Sequence, residues 1–401
     1  MRSIVAVTNE MDDAEKAVAD LLRQIEEKGP LNKNSLGMFF CDVEADHEKF
    51  AAMLQERLPF DVFGCTTIAT FDTKNGAQIM SVVLVILTAD DAEFSSALTG
   101  VLTADNLRAE MEAAYKKASS GLEGPNKLIF IAPPFTTLFP PDDYIDILSE
   151  LSGDTPVFGG LPSSSVPNEP ILMYAGGRSY GDRAAIVLVG GNVRPVFSVQ
   201  NVLSKYSEQK ATVTKSDKNV IYRVNDMPFT EYLKSAGMEV DELIAQNDRT
   251  VFASTPLKVN LSKNDYHDGI PVVRTFRSLS SKDGSGVMSG AIPEKSTVSL
   301  VTMKRQDIQD SCRMAIEEIR EKIAAEGGDY VYGTLLCVSC GARYIVMADD
   351  NEIEGCTLVE NLPENLNLAG FYAYGEICPT VFRDGKAVNR LHNESIVMCA
   401  L

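Results

Sequence analysis

The 401-residue sequence predicts an α/β (α+β) protein: repeated strand–helix units whose sheets are flanked by helices. Three observations lead there. Helical periodicity and short apolar runs alternate along the chain. The order strand, helix, strand ending in glycine, loop, long apolar strand recurs. The run Val82 to Leu87 does not alternate in polarity, which marks a strand covered on both faces. Two domains are expected, residues 1–195 and 196–401, and two stacked sheets in a four-layer α-β-β-α arrangement is one packing open to them.

Residues 12–28 place Ala14, Ala17, Val18, Leu21, Leu22 and Ile25 on one helical face. Asp12 with Glu15 forms a capping-box-like start and Gly29-Pro30 stops the helix. Strand-like Leu36 to Cys41 follows, then a short helix from Asp46, then Val62-Phe63-Gly64, then a long strand from about Ile79 to Leu87. The second copy runs through strand Leu128 to Ala132, helix Asp142 to Leu151, Val157-Phe158-Gly159 and strand Ala185 to Gly190. A third copy is expected after helix Gln306 to Glu326, through Val331 to Val338, Gly370 in the place of Gly64 and Gly159, and a final strand Ser395 to Leu401. Residues 196–305 are richer in Ser, Thr, Lys and turn signals, with a short helix, Phe229 to Ala236, behind Pro228.

Composition narrows the function. With 37 basic against 56 acidic residues the net charge is −19. A field of that sign repels phosphate backbones and anionic lipid, so no nucleic-acid partner and no membrane partner are expected. Met1 to Val7 is a short apolar run meeting acidic Glu10 to Asp13, unlike a leader, and the longest apolar run is too short to span a bilayer. Eight cysteines, several inside strand-like runs, read as reduced thiols, and the expected location is cytoplasmic.

Several chemistries lose their handles. No Walker A sequence occurs, and Gly284-Ser285-Gly286-Val287-Met288-Ser289-Gly290 has its last glycine one place too late for a dinucleotide fingerprint. Gly-x-Ser-x-Gly and His-Glu-x-x-His are both absent. The only histidines are His47, His267 and His392, and Cys337-x-x-Cys340 is half of what a structural zinc site needs, so no metal site is expected.

The last third carries the most specific pattern: Cys340-Gly341-Ala342-Arg343, then Gly370-Phe371-Tyr372-Ala373-Tyr374-Gly375-Glu376-Ile377, then His392-Asn393-Glu394-Ser395. In that order it resembles the C-terminal domain of the FIST family. Phe63-Gly64-Cys65-Thr66-Thr67 resembles the Gly-Cys-Ser/Thr-Thr of the FIST N-terminal domain. One departure stands out: where the family continues Gly-Glu-Ile, this chain has Ala69-Thr70-Phe71. The resemblance implies a sensory, signal-transducing protein that binds a small, amino-acid-like ligand. With no kinase, receiver or cyclase sequence in the chain, output falls to a separate signalling protein such as a kinase.

The candidate ligand-binding residues are Cys340, Arg343, Tyr372, Tyr374, Gly375, Glu376, His392 and Asn393, with Cys65, Thr66 and Thr67 from the first half. Arg343 offers a planar fork for a carboxylate and Glu376 a carboxylate for an ammonium group. A buried Arg343–Glu376 pair serving only the fold is the alternative for those two. No cofactor is predicted. Two other readings stay open: a haem-binding gas or redox sensor, with His392 or a cysteine as axial ligand, and an enzyme with Cys340 as nucleophile and His392 as base, which needs the two in hydrogen-bond reach.

Overall fold

The computed structural model describes residues 1–166, 169–201, 210–262 and 270–401; His267 lies outside them. The first unit runs β1 (Arg2–Thr8), α1 (Ala14–Glu27), β2 (Asn34–Cys41), α2 (His47–Arg57), β3 (Val62–Thr66), the hairpin β4 (Thr70–Asp72) and β5 (Gly76–Gln78), and β6 (Val82–Ala89). The second repeats it: β7 (Ala92–Leu98), α3 (Leu107–Ser119), β8 (Leu128–Ala132), α4 (Asp142–Ser152), β9 (Val157–Gly160), the hairpin β10 (Met173–Ala175) and β11 (Arg178–Tyr180), and β12 (Ala185–Gly191).

The third unit opens with β13 (Val196–Asn201) and is then interrupted. The inserted module holds β14 (Ala211–Asp217), β15 (Val220–Val224), β16 (Met227–Pro228), α5 (Phe229–Ser235), α6 (Val240–Gln246), α7 (Arg249–Ser254), β17 (Leu257–Asn260), β18 (Pro271–Arg274), β19 (Phe276–Leu279), β20 (Gly286–Met288) and β21 (Thr297–Leu300). The unit resumes with α8 (Arg305–Glu326), β22 (Thr334–Cys340), α9 (Gly341–Met347), α10 (Ile353–Asn361), β23 (Asn367–Ala373), the hairpin β24 (Glu376–Arg383) and β25 (Lys386–His392), and β26 (Ser395–Ala400).

Each unit builds one six-stranded sheet, ordered β1-β6-β2-β3, β7-β12-β8-β9 and β13-β26-β22-β23, and each sheet is completed by the hairpin of another unit. Hairpin β10–β11 of the second unit joins the first sheet, β24–β25 of the third joins the second, and β4–β5 of the first joins the third. The exchange is cyclic, so the three units hold one another by main-chain hydrogen bonds. The strand–helix repeats foreseen from the sequence are thus three. Their sheets close on one shared core, where the sequence had left a stack of two sheets open. Aromatic pairs mark the seams: Phe40 with Phe371 at 4.5 Å, Phe63 with Phe130 at 6.3 Å and Phe158 with Phe197 at 6.3 Å.

The recurring glycines are fixed by geometry. Gly64, Gly159 and Gly370 sit opposite Phe39, Ile131 and Cys337 in the parallel pairs. A Cβ on them would lie 1.7, 2.1 and 1.8 Å from the carbonyl oxygens of those partners. Only glycine fits there. Val82 to Leu87 is fully buried, as its unbroken apolar run implied. The inserted module forms the fourth sheet, ordered β18-β17-β21-β14-β15-β20-β19 with β16 beside β15. Its β14 alternates buried and exposed positions, one face on its own core and one in water. Arg274 at the end of β18 is fully buried and binds Asp142 at the start of α4 at 2.8 Å, tying the module to the second unit.

Candidate functional site

In parallel sheets ligands bind beyond the carboxyl ends of the strands, because helix starts and loop backbone converge there. In the third unit those ends are Cys340 of β22 and Ala373 of β23, the latter followed by Tyr374 and Gly375. The hairpin then brings Glu376 directly opposite His392, and the turn Asn393-Glu394 leads into β26. The inserted module supplies a facing wall through Arg249, Phe252, Thr275, Arg277 and Ser289, and the second unit adds Phe135, Leu161 and Ser164. Between them lies a pocket of about 420 Å³, whose lining includes Cys340, Tyr374 and Asn393. A larger groove of about 860 Å³ beside β1 is lined by groups already satisfied, such as Arg23 on Asp20 and Arg2 on the Pro30 carbonyl.

Behind the lining residues Cys340 and Asn393 lie two buried carboxyl groups, Glu376 and Glu394. The Cys340 thiol lies beside the Glu376 carboxyl, near the backbone N–H groups of Ala342 and Glu394. Glu376 Oε2 accepts the Ser395 N–H at 3.3 Å, while Oε1 has no partner among the described residues. Glu394 Oε1 accepts the Thr275 hydroxyl at 2.7 Å from the inserted module, and its Oε2 is unpartnered. Asn393 Oδ1 is unpartnered too. Burial pushes the Glu376 carboxyl well above the usual range and Glu394 up to about 8; burial also raises the Cys340 thiol, with Glu376 and Glu394 adding to it. Burial thus holds both carboxyl groups toward the protonated form and leaves Asn393 Oδ1 an unmet acceptor.

Two arginines line the pocket, the exposed Arg249 and the more buried Arg277. Arg277 is half-buried, its guanidinium lies 4.7 Å over the Phe135 ring, and no carboxylate among the described residues pairs with it. Burial alone pulls its pKa down, and a guanidinium stays charged. Tyr374 packs edge-on against Phe135 at 5.6 Å and donates its hydroxyl to the Ser164 carbonyl at 2.8 Å. Gly375 is packed against Leu161, with 2.8 Å between a Cβ and that side chain.

The other expected residues lie elsewhere. Arg343 does not meet Glu376. It is fully buried on Glu354 of α10, with Nε and Nη2 at 2.9 and 2.7 Å from Oε1, and it also donates to Ser311 at 2.9 Å. Tyr372 donates to the other oxygen of Glu354 at 2.8 Å and Ser339 to the first at 2.9 Å, so these groups form a closed network behind the pocket. His392 Nε2 lies 3.1 Å from the Cys378 carbonyl and 3.4 Å from Thr380, and Nδ1 has no partner. Burial drives its pKa down to about 3, so the ring is neutral. Neither nitrogen meets Cys340: the expected dyad is not formed, and its place beside the thiol is taken by Glu376.

Cys65 belongs to the shared core. Thr66 exchanges hydrogen bonds with Leu172, and the Thr67 hydroxyl donates to the Tyr372 carbonyl at 2.9 Å and accepts its N–H at 3.0 Å. These threonines join units and line no part of the pocket. Among the described residues no group of three or more His, Cys, Asp or Glu side chains is placed to hold a metal ion. Sequence reasoning missed Arg277, Glu354 and the role of Glu394. The last stood inside the motif His392-Asn393-Glu394-Ser395, and only the first two lacked a signal.

Among curated proteins none matches this sequence. Solved structures similar to it include cyanuric acid hydrolase from A. caulinodans, at 9% identity and TM-score 0.35 with 99% of each chain covered, and PurLQS from Thermotoga maritima, at 11% identity and TM-score 0.23, covering 99% of this chain and 72% of that one. No helix of the described residues is long and apolar enough to cross a membrane. The FIST N domain matches residues 35–227 and the FIST C domain residues 229–379. The chain therefore belongs to the FIST family, whose domains are associated with sensory signal-transduction proteins.

Proposed function

We propose that the chain is a sensory module that binds a small polar metabolite, amino-acid-like in size and bearing a carboxylate, and that a separate protein such as a kinase reads its state. The observation that carries this reading is Arg277: a half-buried guanidinium without a carboxylate, on the wall of a 420 Å³ pocket at the strand ends. A carboxylate there gains charge-assisted hydrogen bonds in a partly desolvated site. The unmet acceptor Asn393 Oδ1 on the pocket lining receives a donor of the ligand. The pocket also spans the third unit and the inserted module, so occupancy bears on how the two are held, which is the kind of change a partner can read. The reading invokes no cofactor.

Calorimetry or melting shifts with a panel of amino acids and small hydroxy and oxo acids test it. A saturable response is expected, with affinity about ten- to a hundredfold weaker in Arg277→Gln, the worth of charged hydrogen bonds of about 1.5–3 kcal/mol. A flat panel, or equal affinity in the variant, refutes the reading.

A further inference from the structure

Cys340 is not placed like a structural thiol. It is 4% exposed, and the surface it keeps faces the pocket. Its thiol lies beside the Glu376 carboxyl and near the backbone N–H groups of Ala342 and Glu394. Around it stand three buried oxygens without a partner among the described residues: Glu376 Oε1 and Glu394 Oε2, on carboxyl groups that burial holds toward the protonated form, and the acceptor Asn393 Oδ1, each on a side chain no more than 1% exposed. An unmet buried acceptor costs about 1–3 kcal/mol, and Asn393 Oδ1, which lines the pocket with the thiol, is open to a donor.

We propose that Cys340 captures its ligand covalently, by reversible addition of the thiol to the carbonyl carbon of a small oxo acid, with Glu376 carrying the proton. The proposal rests on the reading of this pocket as the carboxylate-binding site. In the step, a sulfur lone pair forms the S–C bond and the C=O π pair moves onto the carbonyl oxygen. That oxygen takes the proton of the Glu376 carboxylic acid, and the thiol proton passes to the Glu376 carboxylate, which is thereby restored. The product is a thiohemiacetal or thiohemiketal. No oxidant, reductant or water is consumed, and the reverse step releases the ligand intact. A neutral thiol beside a neutral carboxylic acid is the protonation state this step starts from. Addition also converts a carbonyl, which can only accept, into a hydroxyl that donates. Asn393 Oδ1 then has a donor it lacked, and the adduct is favoured over the free carbonyl. Arg277 across the pocket holds the carboxylate of the same ligand.

Glyoxylate carrying 13C at its aldehyde carbon is the probe, with glycolate and glycine as carbonyl-free controls. The expected result is a new resonance of a tetrahedral, sulfur-bearing carbon, distinct from free glyoxylate hydrate. It persists in Cys356→Ser, which removes the exposed thiol, and vanishes in Cys340→Ser. In Glu376→Gln it grows roughly a hundredfold more slowly, the usual worth of positioned acid–base transfer. Should Cys340→Ser not fold, excess glycolate added to the unmodified protein must suppress the resonance; an unsuppressed resonance places the adduct outside the pocket and overturns the proposal. Saturable binding of glyoxylate and glycine with no such resonance overturns covalent capture and leaves the carboxylate pocket standing. No binding of any of the three overturns both.

Discussion

Replacing Glu394 by Gln changes how stability depends on pH, and the size of the change follows from where the carboxyl sits. Glu394 is 1% exposed, with one oxygen on Thr275 and the other unmet, and burial raises its pKa from 4.5 to about 8. The groups around it are Cys340, Glu376 and, more distantly, Arg343, whose charge works the other way. Because the folded state keeps its proton where the unfolded chain has lost it, this carboxyl's contribution is fully present below pH 4.5. It is lost as pH rises toward about 8. One unit is worth about 1.4 kcal/mol, so between pH 5 and 8 the loss is on the order of 3–4 kcal/mol. Glutamine does not ionise. Urea unfolding of both proteins at several pH values should show Glu394→Gln near the parent, or slightly below it, at pH 5, and gaining on it steadily up to pH 8. Glu376 contributes a loss of the same sign in both proteins, smaller in Glu394→Gln because the Glu394 charge that helps to raise it is gone. Parallel curves for the two proteins would falsify the assignment of a protonated, buried Glu394.

Three further outcomes follow from the geometry. Glu354→Ala strips the fully buried Arg343 of its counter-ion and leaves Tyr372 and Ser339 without an acceptor; a loss of about 3–5 kcal/mol in urea unfolding is expected, and less than 1 kcal/mol refutes the network. Gly64→Ala drives a methyl group onto the Phe39 carbonyl oxygen and should cost on the order of 4 kcal/mol or prevent folding, read by circular dichroism and melting. His392, held near 3 by burial, adds stability that is present above pH 6.5 and is lost as pH falls toward about 3; its ring signals in NMR should not titrate between pH 7 and 5, and a midpoint near 6.5 refutes its burial.

The repeat was legible because backbone constraints write themselves into residue type. Gly64, Gly159 and Gly370 stand where a carbonyl oxygen excludes any Cβ, and the unbroken Val82 to Leu87 run marks a strand with two covered faces. The hairpin exchange was not legible: β4, β10 and β24 are three to eight residues long, and nothing local tells a strand which neighbour's sheet it will join. The same limit hid half the site. Cys340, Tyr374, Glu376 and Asn393 are close in motif and close in space. Arg343 carries an arginine's ordinary promise of a carboxylate, and the chain offered Glu354 eleven residues on, inside a helix, as readily as Glu376. Arg277 lies on an irregular strand of the inserted module, where a single basic residue looks like solvated surface.

Three equivalent units raise the question of why one set of strand ends forms the candidate site, and the register answers it. Phe71, Tyr174 and Ile377 each face the conserved-geometry glycine of the sheet they join, so the residues before them, Thr70, Met173 and Glu376, are equivalent. Counting from Phe39, Ile131 and Cys337, the positions matching Cys340 are Asp42 and Pro134. In the first unit, Thr70 bonds Ser81 at 2.6 Å, in the place where Glu376 meets Ser395, and Asp42 is taken by Ser165. Short side chains close that site with their own hydrogen bonds. In the second unit Met173 and Pro134 leave no acid and no thiol. Only the third unit pairs a thiol with a carboxyl at this depth. It is also the unit split by the inserted module, which brings Arg277 and Thr275 over those strand ends. The departure from Gly-Glu-Ile at Ala69-Thr70-Phe71 is therefore a site closed by a hydroxyl pair, and the ligand chemistry is concentrated where the fold's symmetry is broken.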